Sequence, residues 1–239
     1  MTDPAATRWW RWPGGSDRIA NSFCVIGLGR FGSAVCRELL AADAEVLAID
    51  MSQRAIDALR QQDPAIEARV VDCTDEEALR AAGALDVGTV VVAISEPIEA
   101  SITATLIVRD SPGSQVRQVI SRATSDLHEK MLLRVGADRV VFPSKMQGSR
   151  LGMELVRPNL LERLRLDDHN SIEEIRVPAS FAGLSLRDLN LRKTFNVSVL
   201  AAGPVNRLTV NPPASQVLQD NELLVVMGSS EALEALPSR

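Results

Sequence analysis

The sequence predicts an α/β fold: a Rossmann-like, doubly wound parallel sheet with strand order 3-2-1-4-5-6, followed by a small α+β C-terminal domain. Three observations carry this. Short apolar runs alternate with helical patterns from residue 22 onward, as in parallel sheets covered on both faces. The first run, Phe23-Cys24-Val25-Ile26, leads straight into the turn Gly27-Leu28-Gly29-Arg30-Phe31-Gly32. The second run ends in Asp50, close to the ~20-residue spacing at which such folds place an acid on a ribose diol.

In that turn Gly27 allows the tight bend, Gly29 lets backbone N–H groups approach a pyrophosphate, and Gly32 lets the helix pack closely on the strand. The phosphate would sit on the helix N-terminus. Helix 33–42 follows, with Ala34, Val35, Leu39 and Leu40 on one face, and then strand 45–49. Asp50 would repel a 2′-phosphate, so NAD-type or plain adenine nucleotides are expected over NADP. The pattern continues with helix 53–61, strand 67–71, helix 75–82, strand 89–94, helix 98–109, strand 117–120, helix 125–135 and strand 138–142. Six strands in this order open a ligand crevice at the carboxyl ends of strands 1 and 4.

Beyond Pro143, residues 147–155 are helical in pattern and lead through Pro158 to a charged stretch, 162–168, so that 145–165 reads as a linker helix. A second pattern begins at about 166: strand 172–177, helix 185–189, strands 197–201, 208–210 and 222–227, and helix 230–236. Ser185 and Ser230 are candidate N-caps. The domains expected are therefore a tail over 1–20, a nucleotide-binding domain over 21–144, the linker, and a regulatory domain over 166–239. The last has fewer than eighty residues, a thin core that would gain from pairing with another subunit.

A chain of 239 residues with 46% hydrophobic content has room for this, and no apolar run approaches the ~20 residues of a membrane helix. A cytoplasmic protein is expected. Acids outnumber bases by 31 to 26, and the aromatics are three Trp and five Phe with no Tyr, which disfavours nucleic acid as a partner. Cys24, Cys36 and Cys73 are odd in number and widely spaced, arguing against both a disulfide framework and a metal site. Residues 1–20 hold Trp9, Trp10 and Trp12 beside Arg8 and Arg11. This stretch has no signal-peptide core and reads as a flexible tail that suits a membrane interface or a protein groove.

Further segments, taken with the glycine turn, resemble the potassium-transport nucleotide-binding proteins, or regulator-of-conductance family, found as single-copy subunits of Ktr and Trk potassium-uptake systems. They are 71–79 (VDCTDEEAL), Ser121-Arg122-Ala123, 128–133, 136–143 (GADRVVFP) and 183–189 (GLSLRDL). The resemblance implies a regulatory subunit and not an enzyme. It implies dimers assembled into an octameric ring, peripheral on the inner face of the membrane beneath a potassium translocator. ATP or ADP is the expected ligand, with NAD(H) as the alternative. By the same resemblance Asp50 holds the ribose, Asp72 and Cys73 flank the adenine, Arg122 lies near the nucleotide, and Phe31, Met51 and Ser95 complete the set. Arg30, a cation inside the phosphate turn, is expected to distinguish ATP from ADP, in the family from a neighbouring subunit.

The chain departs from the family at three places. Ser144 stands where several relatives have a cation-binding Glu, and a hydroxyl is a poor ligand for a hard cation. Val71 stands where Gly is common. Residues 202–207 (AGPVNR) replace a basic stretch, which leaves cyclic di-AMP binding in the second domain open. Two rival functions remain. An NAD-dependent oxidoreductase would share the turn, but with no Tyr the Tyr–Lys pair of short-chain dehydrogenases cannot exist. Neither His128 nor His169 forms an evident acid–base dyad; His128 reads as structural and His169 as linker. A nucleotide sensor for another transporter, such as a cation/proton exchanger, is the second rival, because fold does not fix the client.

Overall fold

Strand β1 (Ser22–Ile26) is buried along its length because β2 (Glu45–Asp50) and β4 (Thr89–Val92) flank it in parallel register, Val25 opposite both Ala48 and Val91. The computed structural model describes residues 21–237, and the expected Trp-rich tail over 1–20 lies outside them. With β3 (Glu67–Val70), β5 (Gln118–Arg122) and β6 (Arg139–Val141), a six-stranded parallel sheet forms in the expected order β3-β2-β1-β4-β5-β6. One face packs Cys24, Leu47, Leu79, Val90 and Val108; the other packs Val25, Cys36, Ile56, Leu59 and Ala93.

Helices α1 (Arg30–Ala41), α2 (Gln53–Gln62), α3 (Glu76–Ala82), α4 (Ile98–Asp110) and α5 (Asp126–Arg134) join the strands. Local chemistry sets their ends. The Asp75 carboxylate accepts from Ala78 N at 3.0 Å and the Ser125 hydroxyl from His128 N at 3.1 Å, as N-caps do. Gly83, at φ +83°, closes α3 in the left-handed conformation. Helix α1 begins at Arg30, three residues before the sequence-based estimate, because Gly29 is itself the N-cap and Gly32 falls inside the first turn. At the far edge Arg109 of α4 donates to Gly136 O at 3.0 Å and to Asp138, whose other oxygen accepts from Val119 N at 2.7 Å.

The chain divides after Ser144 into two compact units. The expected linker helix over 145–165 needs correction: α6 runs Pro143–Val156, and residues 160–165 form strand β7 (Leu160–Arg165). Pro158 cannot continue the helix. Within the charged stretch read as part of that linker, Arg163 lies opposite Glu173 of β8 (Asn170–Arg176). His169, expected in a linker, sits in the β7–β8 hairpin. There the Asp167 carboxylate accepts from His169 N at 2.7 Å and Asn170 N at 2.8 Å. Those bonds, with the Asn170 side chain foremost, hold the Asp167 carboxyl below its usual range.

The rest of the second unit comprises a 3-10 turn (Ala179–Phe181), α7 (Leu186–Leu189), α8 (Leu191–Phe195), β9 (Ser198–Gly203), β10 (Thr209–Val210), β11 (Leu223–Ser229) and α9 (Ser230–Glu234). Its sheet is antiparallel in the order β10-β9-β11-β8-β7. The 3-10 turn and α8 had no sequence signal. Each is a single turn held by its apolar residue, Phe181 or Leu191, against Ile175, Leu218 and Leu224.

A carboxylate is wholly buried here. Glu173, 0% exposed, takes two hydrogen bonds from Arg157, at 3.1 and 2.9 Å, and Arg163 approaches to 3.5 Å. Removing it strands two partly buried cations, so Glu173→Ala is expected to destabilise this unit by about 3–5 kcal/mol. Arg165→Ala, at a pair 69% and 92% exposed, should cost under about 1 kcal/mol. Hydrogen exchange of the β8 and β11 amides measures both.

Candidate functional site

At the carboxyl end of β1 the backbone turns sharply at Gly27, at φ +96°, where any side chain would crowd Ile94. Gly27 N donates to Ile49 O and Ala93 N to Ile26 O, both at 2.7 Å, tying the turn to strands on either side. A Cβ on Gly32 would lie 1.9 Å from Gly27 O, whereas one on Gly29 would meet nothing within 4 Å. One glycine thus permits backbone to touch backbone, and the other leaves space. Helix α1 has no side-chain cap and no acid in its first turn, so its N-terminal N–H groups are open to an anion.

The acid at the end of β2 is bound into the same turn. Asp50 Oδ2 accepts from Leu28 N at 2.6 Å and Oδ1 from Ser52 N at 2.8 Å. Each oxygen keeps a further lone pair for a ligand hydroxyl. Above turn and acid lies a cavity of about 310 Å³. Gly27, Gly29, Asp50, Met51, Cys73, Ser95 and Arg122, all expected from the sequence, line it.

Four expected residues do not. Gly32 is buried beneath the turn. Phe31 lies behind the wall, its ring centroid 5.4 Å from the Arg122 guanidinium carbon. Arg30 is exposed and outside the cavity of its own chain. Asp72 is also exposed and outside it, accepting from Thr74 Oγ1 at 2.7 Å and Thr74 N at 2.9 Å. Those two bonds lower its pKa. Ile94, Glu96, Pro97 and Ala100 line the cavity without having been anticipated. Their signal was the proline opening α4 just after β4, at the point where the strand order reverses.

The polar walls are therefore two carboxylates, Asp50 and Glu96, one guanidinium, and an uncapped helix end. The Nε of Arg122 is buried with no partner. An open methyl-sized space at Gly29, an unpartnered cation and free N–H groups fit a diphosphate, and Asp50 fits its sugar. Among the described residues no group of three His, Cys, Asp or Glu could hold a metal ion, and no helix is long and apolar enough to cross a membrane. The three cysteines are free and buried. Burial raises the pKa of Cys24 and takes that of Cys36 to about 12. Cys73, on the cavity wall, is raised by burial and then by the Asp72 and Asp50 charges.

Sheet order, switch-point crevice and glycine turn define a Rossmann-type nucleotide-binding domain, here joined to a small antiparallel α+β domain. Residues 23–143 match the TrkA-N domain and residues 172–237 the TrkA-C domain. The chain is 34% identical over 211 residues to Ktr system potassium uptake protein C of Bacillus subtilis (strain 168), covering 88% of this chain and 93% of that protein. It is 32% identical over 212 residues to Ktr system potassium uptake protein A of Vibrio alginolyticus, covering 88% and 94%. The chain belongs to this potassium-transport nucleotide-binding family, among the Ktr-type regulatory subunits. In fold it also resembles the GsuK RCK domain, with TM-score 0.65, 19% identity, 90% of this chain and 46% of that one. It thus spans less than half of that longer chain.

Two expectations follow. Gly32→Ala should cost about 3 kcal/mol or more, because a backbone oxygen cannot yield to the methyl, while Gly29→Ala should stay within about 0.5 kcal/mol; denaturant unfolding compares them. The raised pKa keeps the Cys73 thiol protonated at pH 7, so alkylation by iodoacetamide should be slow there and should accelerate only at higher pH than for an ordinary exposed thiol. Mass spectrometry of the modified peptide follows the rate.

Proposed function

We propose that this chain is a nucleotide-sensing gating subunit of a potassium uptake system. It binds ATP and ADP at the crevice of its first unit and acts non-enzymatically, as a dimer-built ring docked on a membrane translocator. The observation that carries the reading is the turn-and-acid construction: Gly29 leaves open space at an uncapped helix end, and Asp50 is hydrogen-bonded to the turn itself. Family membership supports the potassium client, and the Bacillus and Vibrio relatives are named as potassium uptake proteins. Asp50 at the sugar position favours nucleotides without a 2′-phosphate.

Arg30 is exposed on its own chain, and in this reading it serves a neighbouring subunit's nucleotide. ATP and ADP would then stabilise different assembly shapes only in proportion to their differential affinity for each. A second reading, NAD(H), is supported by the extension of the cavity along Ile94, Glu96 and Ala100 beyond the glycine turn. There the second half of a dinucleotide lies in folds of this order.

Thermal unfolding with ATP, ADP, NADH, NADPH and cyclic di-AMP side by side tests the proposal. At ligand near 100 times its dissociation constant, ATP and ADP should each add about 2.7 kcal/mol of stability, and NADPH should respond less than NADH. Arg30→Ala should bring the ATP and ADP affinities together. No response to any adenylate would defeat the reading.

A further inference from the structure

The cavity wall contains a cation that no ion pair engages among the described residues. Arg122 ends β5 and lines the cavity with Asp50 and Glu96. Among the described residues no ion pair engages it, and its Nε is buried without a partner. Its guanidinium carbon instead stands 5.4 Å from the centroid of the Phe31 ring. That is within the ~6 Å over which an aromatic face attracts a delocalised cation. Phe31 is itself partly buried, in the first turn of α1 and packed against the core cluster on that face of the sheet.

A flexible arginine left in solvent samples many rotamers, and an arriving phosphate would have to collect it from that ensemble. A ring supplies attraction without accepting hydrogen bonds, so it can hold the guanidinium in place and leave its N–H donors free. Held this way, the donors need no reorganisation when an anion enters.

We propose that Phe31 is a positioning residue for the phosphate groups of the bound ligand, acting through Arg122: it holds the guanidinium at the cavity wall with N–H donors left for the anion. The inference rests on a nucleotide occupying this cavity. It explains why an aromatic that does not reach the cavity stands inside the phosphate turn. It also separates two cations, Arg122 serving the nucleotide of its own chain and Arg30 facing outward.

The test uses the full chain and two probes, ADP and adenosine, which share base and sugar and differ in the diphosphate. Isothermal titration gives the ratio of their dissociation constants for the unmodified protein and for F31L, F31W, R122Q and F31L/R122Q. F31L should shrink the preference for ADP by about fivefold, from weaker ADP binding with adenosine little changed. F31W, which keeps an aromatic face, should restore most of it and covers the case in which F31L folds poorly. In the R122Q background F31L should leave the ratio unchanged.

Equal weakening of ADP and adenosine by F31L would reduce Phe31 to a packing role and overturn the proposal. So would a full fivefold loss that persists without Arg122. If the unmodified chain binds ADP, these results judge Phe31 alone. If it binds no ADP, the ATP and ADP reading fails and this inference fails with it.

Discussion

The contact between helix α1 and the turn after β1 is the constraint on which the first unit depends. The methyl group that a side chain would place at position 32 falls 1.9 Å from a carbonyl oxygen of Gly27, so backbone lies directly on backbone. This closeness brings the N-terminus of α1 over the end of the sheet, and Gly29 as N-cap leaves that end without a side-chain cap. The acid of β2 completes the arrangement by accepting a hydrogen bond from Leu28 N. The glycine turn and Asp50 are therefore one mechanical unit, and disturbance at either is felt at the other.

Two carboxylates and one guanidinium share a cavity of about 310 Å³, with the positive end of a helix beneath. Arg122 stacks on Phe31 and has no ion-pair partner among the described residues, and its Nε is buried without a hydrogen bond.

The second unit solves a different problem. Its sheet is small, and a buried Glu173 is clasped by Arg157, which also donates to Leu233 O in α9 at 3.1 Å. The same guanidinium thus joins the residue after α6, the middle of the sheet and the last helix. Such a network is costly to break and demands one geometry, which fixes how strand β7 and helix α9 seat on a core of modest size.

Strands β1 to β6 and their helices were readable from the sequence because their signals are local: an apolar run, a glycine, a capping residue. The glycine turn and Asp50 were readable because backbone geometry admits few residue types there. Strand β7 was not, since its charges make sense only opposite Glu173, a partner that appears after the hairpin closes. Nor was the pairing of Phe31 with Arg122, or the approach of Glu96 to the cavity, as these residues meet only when β1, β4 and β5 lie side by side. The amino-acid order by itself determined the Rossmann topology and its phosphate turn, through short-range rules of chirality and sterics. Tertiary structure alone decided which charged side chains face the cavity and which face solvent, because that choice depends on distances between strands remote in the chain.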